Sequence, residues 1–137
     1  MPIHFHYDPH VGILFTRAEG RLTFDEILRH LNRERKTKRV AFPEVFDATQ
    51  ASTDATGEQV RVIVQRMIDM GRQGAFGPTA VITTNDVVFG MARMLAILSE
   101  LESGPKVQVF RTFDEGLDWL VRLYKSSEEK PPERPGH

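Results

Sequence analysis

The sequence predicts one α/β domain with the element order ββαβαβαβα. Short apolar stretches rich in β-branched residues alternate with segments whose apolar residues recur at helical spacing. A chain of 137 residues, 40% of them apolar, can build one core but not two ordinary domains. Because the later strands are separated by helices, which join parallel neighbours, we expect a mixed, mostly parallel five-stranded sheet with an antiparallel first strand and four helices.

The chain begins with two predicted strands at residues 3–7 and 12–18. The turn between them contains Pro9, which presets a turn dihedral angle, so an antiparallel hairpin is expected. After the hairpin, Thr23 and Glu26 form the T-x-x-E pattern of a capping box, and the apolar spacing that follows predicts a helix over residues 23–35.

The rest of the domain repeats strand and helix. Further strands are predicted at residues 44–48, 79–84 and 106–111. Gly71 and Gly74 end the second helix, and Asn85 caps the third, which reaches about residue 101. Thr112 and Glu115 form another capping box before the last helix.

The end of the chain changes in composition. From residue 126 onward it is polar and rich in proline, which is typical of disorder. We therefore expect a domain over residues 1–125 and a disordered tail over residues 126–137.

Composition excludes several classes of function. The net charge of -1 gives no global field that would attract nucleic acid, so no nucleic-acid partner is expected. The absence of cysteine excludes disulfides, thiolate metal sites and cysteine nucleophiles. There is no signal-peptide pattern at the start, and no apolar run approaches the roughly 20 residues that span a bilayer, so a cytoplasmic protein is expected.

No pattern of enzyme chemistry is found. The sequence contains no G-x-S-x-G, Walker A, G-x-G-x-x-G or H-E-x-x-H motif, so we expect no enzyme and no cofactor. His4, His6 and His10 could ligate zinc, but they lack a carboxylate partner and are interpreted as surface residues, with no metal site expected. Five cations within residues 33–39 fit either a solvated helix end or an anionic membrane surface.

Three stretches carry a resemblance to a known family. They are the nine residues 87–95 (VVFGMARML), residues 109–112 (VFRT) before a helix with Trp119 and Leu120, and residues 46–49 (FDAT) on the central strand. With the element order, they resemble the SpoIIAA-like proteins of the STAS group, named for sulfate transporters and anti-sigma factor antagonists. The resemblance implies a small domain without cofactor chemistry that forms a homodimer or binds a protein partner, such as a kinase or an anti-sigma-like protein. The lipid-carrier-like layout of the wider family also implies an apolar ligand or a membrane surface as a partner.

The segment before the second helix is the first candidate site. Its polar side chains are Asp47, Thr49, Ser52, Thr53, Asp54 and Thr56. In anti-sigma factor antagonists a D-S-S-G sequence here is phosphorylated, and residues 54–57 (DATG) resemble it, with Thr56 at the acceptor position. The same threonine also forms a T-x-x-Q capping box with Gln59, which needs no modification to explain it.

The third helix is the second candidate site. Its predicted sheet-facing stripe consists of Val87, Met91, Met94, Leu95 and Leu98. Phe89 lies outside this stripe, so the helix is apolar on two sides, and Phe89, Met91 and Met94 are candidate ligand or interface residues.

Two functional hypotheses follow from these sites. The first is a non-enzymatic regulatory or protein-interaction module, switched at the segment before the second helix. The second is a carrier of an apolar ligand, or a membrane-associated domain, that uses the methionine-rich third helix.

Overall fold

The computed structural model describes residues 3–36, 42–72 and 77–129, and its elements follow the predicted order. The strands are β1 (Ile3–Asp8), β2 (Ile13–Leu22), β3 (Glu44–Thr53), β4 (Thr79–Ile82) and β5 (Val107–Phe110). The helices are α1 (Phe24–Lys36), α2 (Gly57–Arg72), α3 (Asp86–Leu101) and α4 (Phe113–Glu129). The α/β class and the four helices of the prediction are confirmed.

The five strands form one sheet in the order β1-β2-β3-β4-β5. β1 is antiparallel to β2, and the other neighbouring pairs are parallel. The opening hairpin closes at Gly12, whose φ of 70° is a left-handed conformation that glycine adopts without steric cost. The predicted mixed sheet with an antiparallel first strand is therefore confirmed.

The helices cover the two faces of the sheet unequally. α1, α2 and α3 pack on one face, where Leu22, Ala48 and Ala51 meet Val88 of α3. α4 packs on the other face, and Leu120 lies in the core there with Ile82. β4 is buried along its whole length because helices cover it from both sides.

Side-chain caps fix the helix starts as predicted. The Glu26 N–H donates to Thr23 Oγ1 at 3.2 Å, and the Thr23 N–H donates back to Glu26 Oε1 at 3.0 Å. Asn85 Oδ1 accepts from two backbone amides of the first turn of α3, at 2.9 and 3.1 Å. The Glu115 N–H donates to Thr112 Oγ1 at 3.2 Å.

β3 is five residues longer than predicted. It continues to Thr53 because β2 also continues, and Gly20, Arg21 and Leu22 pair with residues 51–53. The polar composition of this stretch is typical of a loop, but its side chains alternate between the core and solvent. The predicted end of the strand at residue 48 was therefore wrong.

A bulge separates the two parts of β3. Asp47 pairs with Arg17 and Gln50 pairs with Glu19, so two residues of β3 oppose one residue of β2. Thr49 lies in the bulge, and its N–H and hydroxyl donate to Asp47 Oδ1 at 3.0 and 2.7 Å. The bulge interrupts the regular hydrogen bonding between β2 and β3 at Thr49, and the Asp47 carboxylate provides a local partner for the Thr49 N–H.

Two helix ends also differ from expectation. α2 ends at Arg72, and Gly74 lies outside the described residues. α4 continues to Glu129 and so reaches four residues into the segment for which we expected disorder. Residues 126–130 contain no proline. The first proline of the segment is Pro131, which disfavours a helical conformation for the residue before it, so the sequence allows the helix to pass residue 125. The limits of the domain remain a prediction, and residues 130–137 lie outside the described part of the chain.

Candidate functional site

The connection from β3 to α2 is shorter than the predicted switch segment. Thr49 and Ser52 belong to β3, so only residues 54–56 join the strand to the helix. The Thr53 hydroxyl donates to the Leu22 carbonyl at 2.9 Å and accepts from the Ala55 N–H at 3.2 Å. The candidate side chains thus bond to different local partners and do not converge on one point.

Thr56 is the N-cap of α2. Its Oγ1 accepts from the Gln59 N–H at 3.2 Å, and Gln59 Oε1 accepts from the Thr56 N–H at 2.9 Å. The predicted capping box is therefore confirmed. Thr56 is also exposed, so the cap leaves its hydroxyl accessible.

We expect Thr56→Ala to lower the free energy of unfolding by about 1 kcal/mol, because it removes the side-chain acceptor of the cap. Thr56→Ser, which keeps that oxygen, should change it by only a few tenths of a kcal/mol. Urea denaturation of the two variants beside the natural chain measures both changes. Equal stability of the alanine and serine variants would contradict the capping role.

Asp54 is held outside the cap by an ion pair. Its carboxylate pairs with the Arg21 guanidinium of β2, and both side chains are exposed. The hydrogen bond from Arg21, followed by its charge, lowers the pKa of Asp54 below its usual value. Asp54 is therefore an anion two residues before the candidate acceptor Thr56, and its negative charge opposes the addition of a phosphate there.

The predicted stripe of α3 is correct at Met91 and Leu95, which line the space between helices and sheet, and wrong at Val87 and Met94. Val87 is 64% exposed and Met94 is 37% exposed, whereas Val88 and Ala92 face the sheet. α3 is apolar around most of its circumference, so periodicity could not identify the face that packs inward. Phe89, Met91 and Met94 consequently lie in three different environments.

Phe89 is covered by Arg111. The guanidinium carbon of Arg111 lies 3.9 Å from the centroid of the Phe89 ring, within the range of a cation–π contact. Arg111 also pairs with Asp86 at 2.9 Å and donates to the Thr84 carbonyl at 3.2 Å. These contacts join Phe89, Arg111 and Asp86 in a local cluster at the start of α3.

The outer face of α3 carries an apolar stripe with heptad-like spacing. We call these residues the α3 stripe: Val87, Gly90, Met94, Ile97 and Leu101. Ile97 is 49% exposed and Leu101 is 75% exposed. Met94 also reaches the start of α2, since its Sδ lies 3.8 Å from the position that a Cβ on Gly57 would take. The α3 stripe and the Thr56 cap are thus neighbours on one surface.

A cavity of about 140 Å³ lies between the sheet and the helices α1, α2 and α3. Met91 and Met67 belong to its wall, which is otherwise formed mostly by aliphatic side chains. Ser52, Thr53 and Ala55 also line it, so one side of the cavity lies under the segment that leads into α2.

A buried polar cluster lies at the edge of the cavity, and two of its three residues, His30 and Glu44, belong to the wall. The Thr16 hydroxyl donates to Glu44 Oε2 at 2.5 Å, and His30 Nε2 lies 3.4 Å from the same oxygen. The side chains of His30 and Glu44 are 3% and 7% exposed. Sequence reasoning missed this cluster, although Thr16 at an inward position between Leu14 and Ala18 was a signal that could have found it.

The predicted histidine surface lies on the other side of the sheet. His4 and His6 are exposed on one face of β1, as expected from their spacing, and the His6 ring stacks on Phe15 with centroids 5.6 Å apart. Among the described residues, no three His, Cys, Asp or Glu side chains are grouped as metal ligands. The basic cluster at residues 33–39 lies partly outside the described residues, which end at Lys36 and resume at Phe42.

Comparison with known proteins defines the fold. A solved structure of an uncharacterised protein of the DUF3478 family with a SpoIIAA-like fold, from Shewanella loihica PV-4, matches 86% of this chain and 91% of its own, with a TM-score of 0.51 and 16% identity. The chain therefore has a SpoIIAA-like fold, as the resemblance implied. The anti-sigma factor antagonist SpoIIAA in its unphosphorylated form matches 88% of this chain and 97% of its own, with a TM-score of 0.48 and 15% identity.

Comparison of the sequence with known families and proteins does not assign the chain to a family. No family model matches the chain, and no curated protein sequence matches it. Within the described residues, no helix has the length and apolar character that a membrane crossing requires.

Proposed function

We propose that this chain is a non-enzymatic regulatory module that acts through protein–protein contact, with the α3 stripe as the contact surface. The observation that supports this function is the exposure of Val87, Ile97 and Leu101 on one face of a helix whose opposite face is already packed on the sheet. An exposed apolar stripe with heptad spacing resembles the seam between paired helices. Such a surface gains free energy when a partner covers it.

The partner that fits best is a second copy of this chain. Arg93 and Glu100 are both exposed, flank the α3 stripe on one side and are seven residues apart. If two α3 helices cross antiparallel near Ile97, Arg93 of each copy faces Glu100 of the other, and Met94 faces Leu101. One register of the two helices therefore does both things: it buries the apolar residues of the two stripes and brings opposite charges of the two copies together.

Sedimentation velocity over a range of concentrations tests this contact. We expect the natural chain to dimerise and Ile97→Lys to weaken the dimer at least about a hundredfold, because a lysine at the centre of the contact leaves a buried charge. Val121→Lys is the matched control, since Val121 is 39% exposed on α4, against the opposite face of the sheet. A natural chain that stays monomeric at high concentration would exclude the second copy as partner and leave a kinase or an anti-sigma-like protein to be tested on the same surface.

Thr56 is the proposed switch of this contact. A phosphate on Thr56 would place two negative charges next to Gly57, beside which the side chain of Met94 of the α3 stripe lies. The helix N-terminus would favour that charge, whereas Asp54 would repel it, so the segment would have to rearrange beside the contact surface. If Thr56→Glu dimerised with the same affinity as Thr56→Ser, a negative charge at this position would not control the contact between two copies, and the proposed switch of dimerisation would be wrong.

A second function, carriage of an apolar ligand, is favoured by the cavity. The walls of the cavity are mostly apolar and include Met91 of α3, which was a candidate ligand-binding residue. A carrier needs such a space, and methionine side chains adapt to ligands of different shape. Protein freed of bound small molecules that takes up no apolar compound would exclude this function.

A further inference from the structure

The cavity between the sheet and the helices α1, α2 and α3 is small for a ligand site, and its wall is almost entirely apolar. We propose that it binds a neutral, wholly apolar molecule of about one ring and does not accept a fatty acid. The inference rests on the carrier function proposed above and specifies the class of its ligand. Toluene is a simple molecule of this class.

The volume of the cavity limits the size of the ligand. This volume is about 140 Å³, whereas pockets for drug-sized molecules measure roughly 300–1,000 Å³. An engineered cavity of about 150 Å³ in another protein, lined by aliphatic and aromatic side chains, takes up benzene. A ligand of about six to eight non-hydrogen atoms therefore matches the space, and a long acyl chain does not.

The wall of the cavity does not suit an acidic ligand. Its described residues include no lysine or arginine that could pair with a carboxylate. His30 belongs to the wall, but its Nε2 already lies 3.4 Å from the carboxyl oxygen Oε2 of Glu44. A carboxylate that enters an apolar space without a cation loses its hydration and gains no compensating partner. Fatty acids are therefore not the class of ligand that this wall favours.

Polar side chains at the wall bond to other groups of the protein. The Thr53 hydroxyl donates to the Leu22 carbonyl at 2.9 Å and accepts from the Ala55 N–H at 3.2 Å. Glu44 Oε2 accepts from the Thr16 hydroxyl at 2.5 Å. A hydroxyl on a ligand would give up its bonds to water on entry, and a hydrocarbon has no such bonds to lose. The wall therefore favours a hydrocarbon over an alcohol or a phenol of the same shape.

Three compounds separate the features of the proposed class. Toluene is neutral and apolar, and phenol has nearly the same shape but carries a hydroxyl. Decanoate is apolar along its chain, but it is longer and carries a carboxylate. We expect toluene to bind, phenol to bind at least about tenfold more weakly, and decanoate not to enter the cavity.

The methionine methyl groups provide an internal readout. Met67 and Met91 line the cavity, whereas Met94 is exposed on the α3 stripe. With methyl-¹³C-methionine protein, we expect toluene to shift the Met67 and Met91 signals in a saturable way and to leave Met94 unchanged. Decanoate should leave the Met67 and Met91 signals where they are.

Two variants of α3 locate the bound molecule. Ala92 is buried and belongs to the wall, so Ala92→Leu fills part of the cavity and should weaken toluene binding at least about tenfold. Ala96 is half-buried on the same helix and is not among the described residues of the wall. Ala96→Leu is therefore the matched control, and it should bind toluene within about twofold of the natural chain.

Each result decides between the class of ligand and the carrier function itself. Decanoate that shifts Met67 and Met91, or phenol that binds as tightly as toluene, overturns the proposed class and retains the carrier function. Binding of none of the three compounds to the natural chain overturns both. Toluene binding that Ala92→Leu leaves unchanged overturns the cavity as the site. If that variant does not fold, the comparison of the three compounds on the natural chain still decides.

Discussion

Glu44→Ala is expected to lower the free energy of unfolding by about 3 kcal/mol. Glu44 is buried at the start of β3, where its carboxylate accepts from Thr16 and lies 3.4 Å from His30. Alanine removes the acceptor of the Thr16 hydroxyl and the carboxylate beside His30, while both side chains stay enclosed by the sheet and α1. A buried polar group that loses its partner costs more than the bond itself gained, because water does not replace the partner.

Chemical denaturation of this variant beside Glu44→Gln measures the effect. Glutamine keeps an oxygen that can accept from Thr16, so its loss of stability should be clearly smaller than that of alanine. Glu19→Ala is a surface control, since Glu19 is half-exposed and paired with the exposed Arg17. If Glu44→Ala were as stable as Glu19→Ala, the buried cluster would not contribute to the fold.

Gly116→Val is expected to lower the free energy of unfolding by about 3 kcal/mol. At Gly116, α4 passes so close to β4 that a Cβ would overlap Ile82 Cδ1 and lie 3.4 Å from both Ala80 Cβ and Phe110 Cδ2. Ile82 and Ala80 are fully buried, so they have little room to move away. A valine would push α4 away from the central strand or force the side chains of the core out of their preferred rotamers.

Gly90→Val is the matched control for this prediction, measured at a protein concentration at which the chain is monomeric, because Gly90 belongs to the α3 stripe. Gly90 is also a helical glycine, but beyond its chain neighbours and the backbone of its own helix no atom lies within 4 Å of the position of its Cβ. Valine and glycine differ little in helix propensity, so Gly90→Val should change stability by at most about 0.5 kcal/mol. Thermal unfolding should therefore separate the two variants by about 10 °C. Equal melting temperatures would show that α4 can shift without cost.

The sequence was sufficient for the fold because its local signals agree with one another. The T-x-x-E patterns at Thr23 and Thr112 and the cap at Asn85 identified three helix starts, and each cap is present in the structure. The end of β3 was missed because serine and threonine after Ala48 are typical of loops, whereas pairing with the extended β2 determines the strand. Strand ends of this kind depend on a partner that is distant in sequence.

The candidate sites were harder to predict for a similar reason. Thr56 was identified as a cap from four consecutive residues, but the orientation of α3 depends on which of its apolar sides meets the sheet. The cluster of Thr16, His30 and Glu44 joins three elements, and its signal within one of them is the polar Thr16 at an inward position of β2. His30 lies three residues after Ile27 on the apolar side of α1, so only its burial could have been expected.

The length of β3 beyond the bulge has a consequence for the proposed carrier function, because it bears on the rate at which a ligand would enter and leave. β4 pairs with β3 only as far as Asp47, so the last residues of β3 are held in the sheet through β2. A two-stranded end of this kind opens locally at a lower free energy than the whole domain, and hydrogen exchange of its amides reports that opening. Ala51 and Thr53 belong both to this end and to the cavity wall. Fraying of two strands, and not unfolding of the domain, would then set the residence time of a bound molecule.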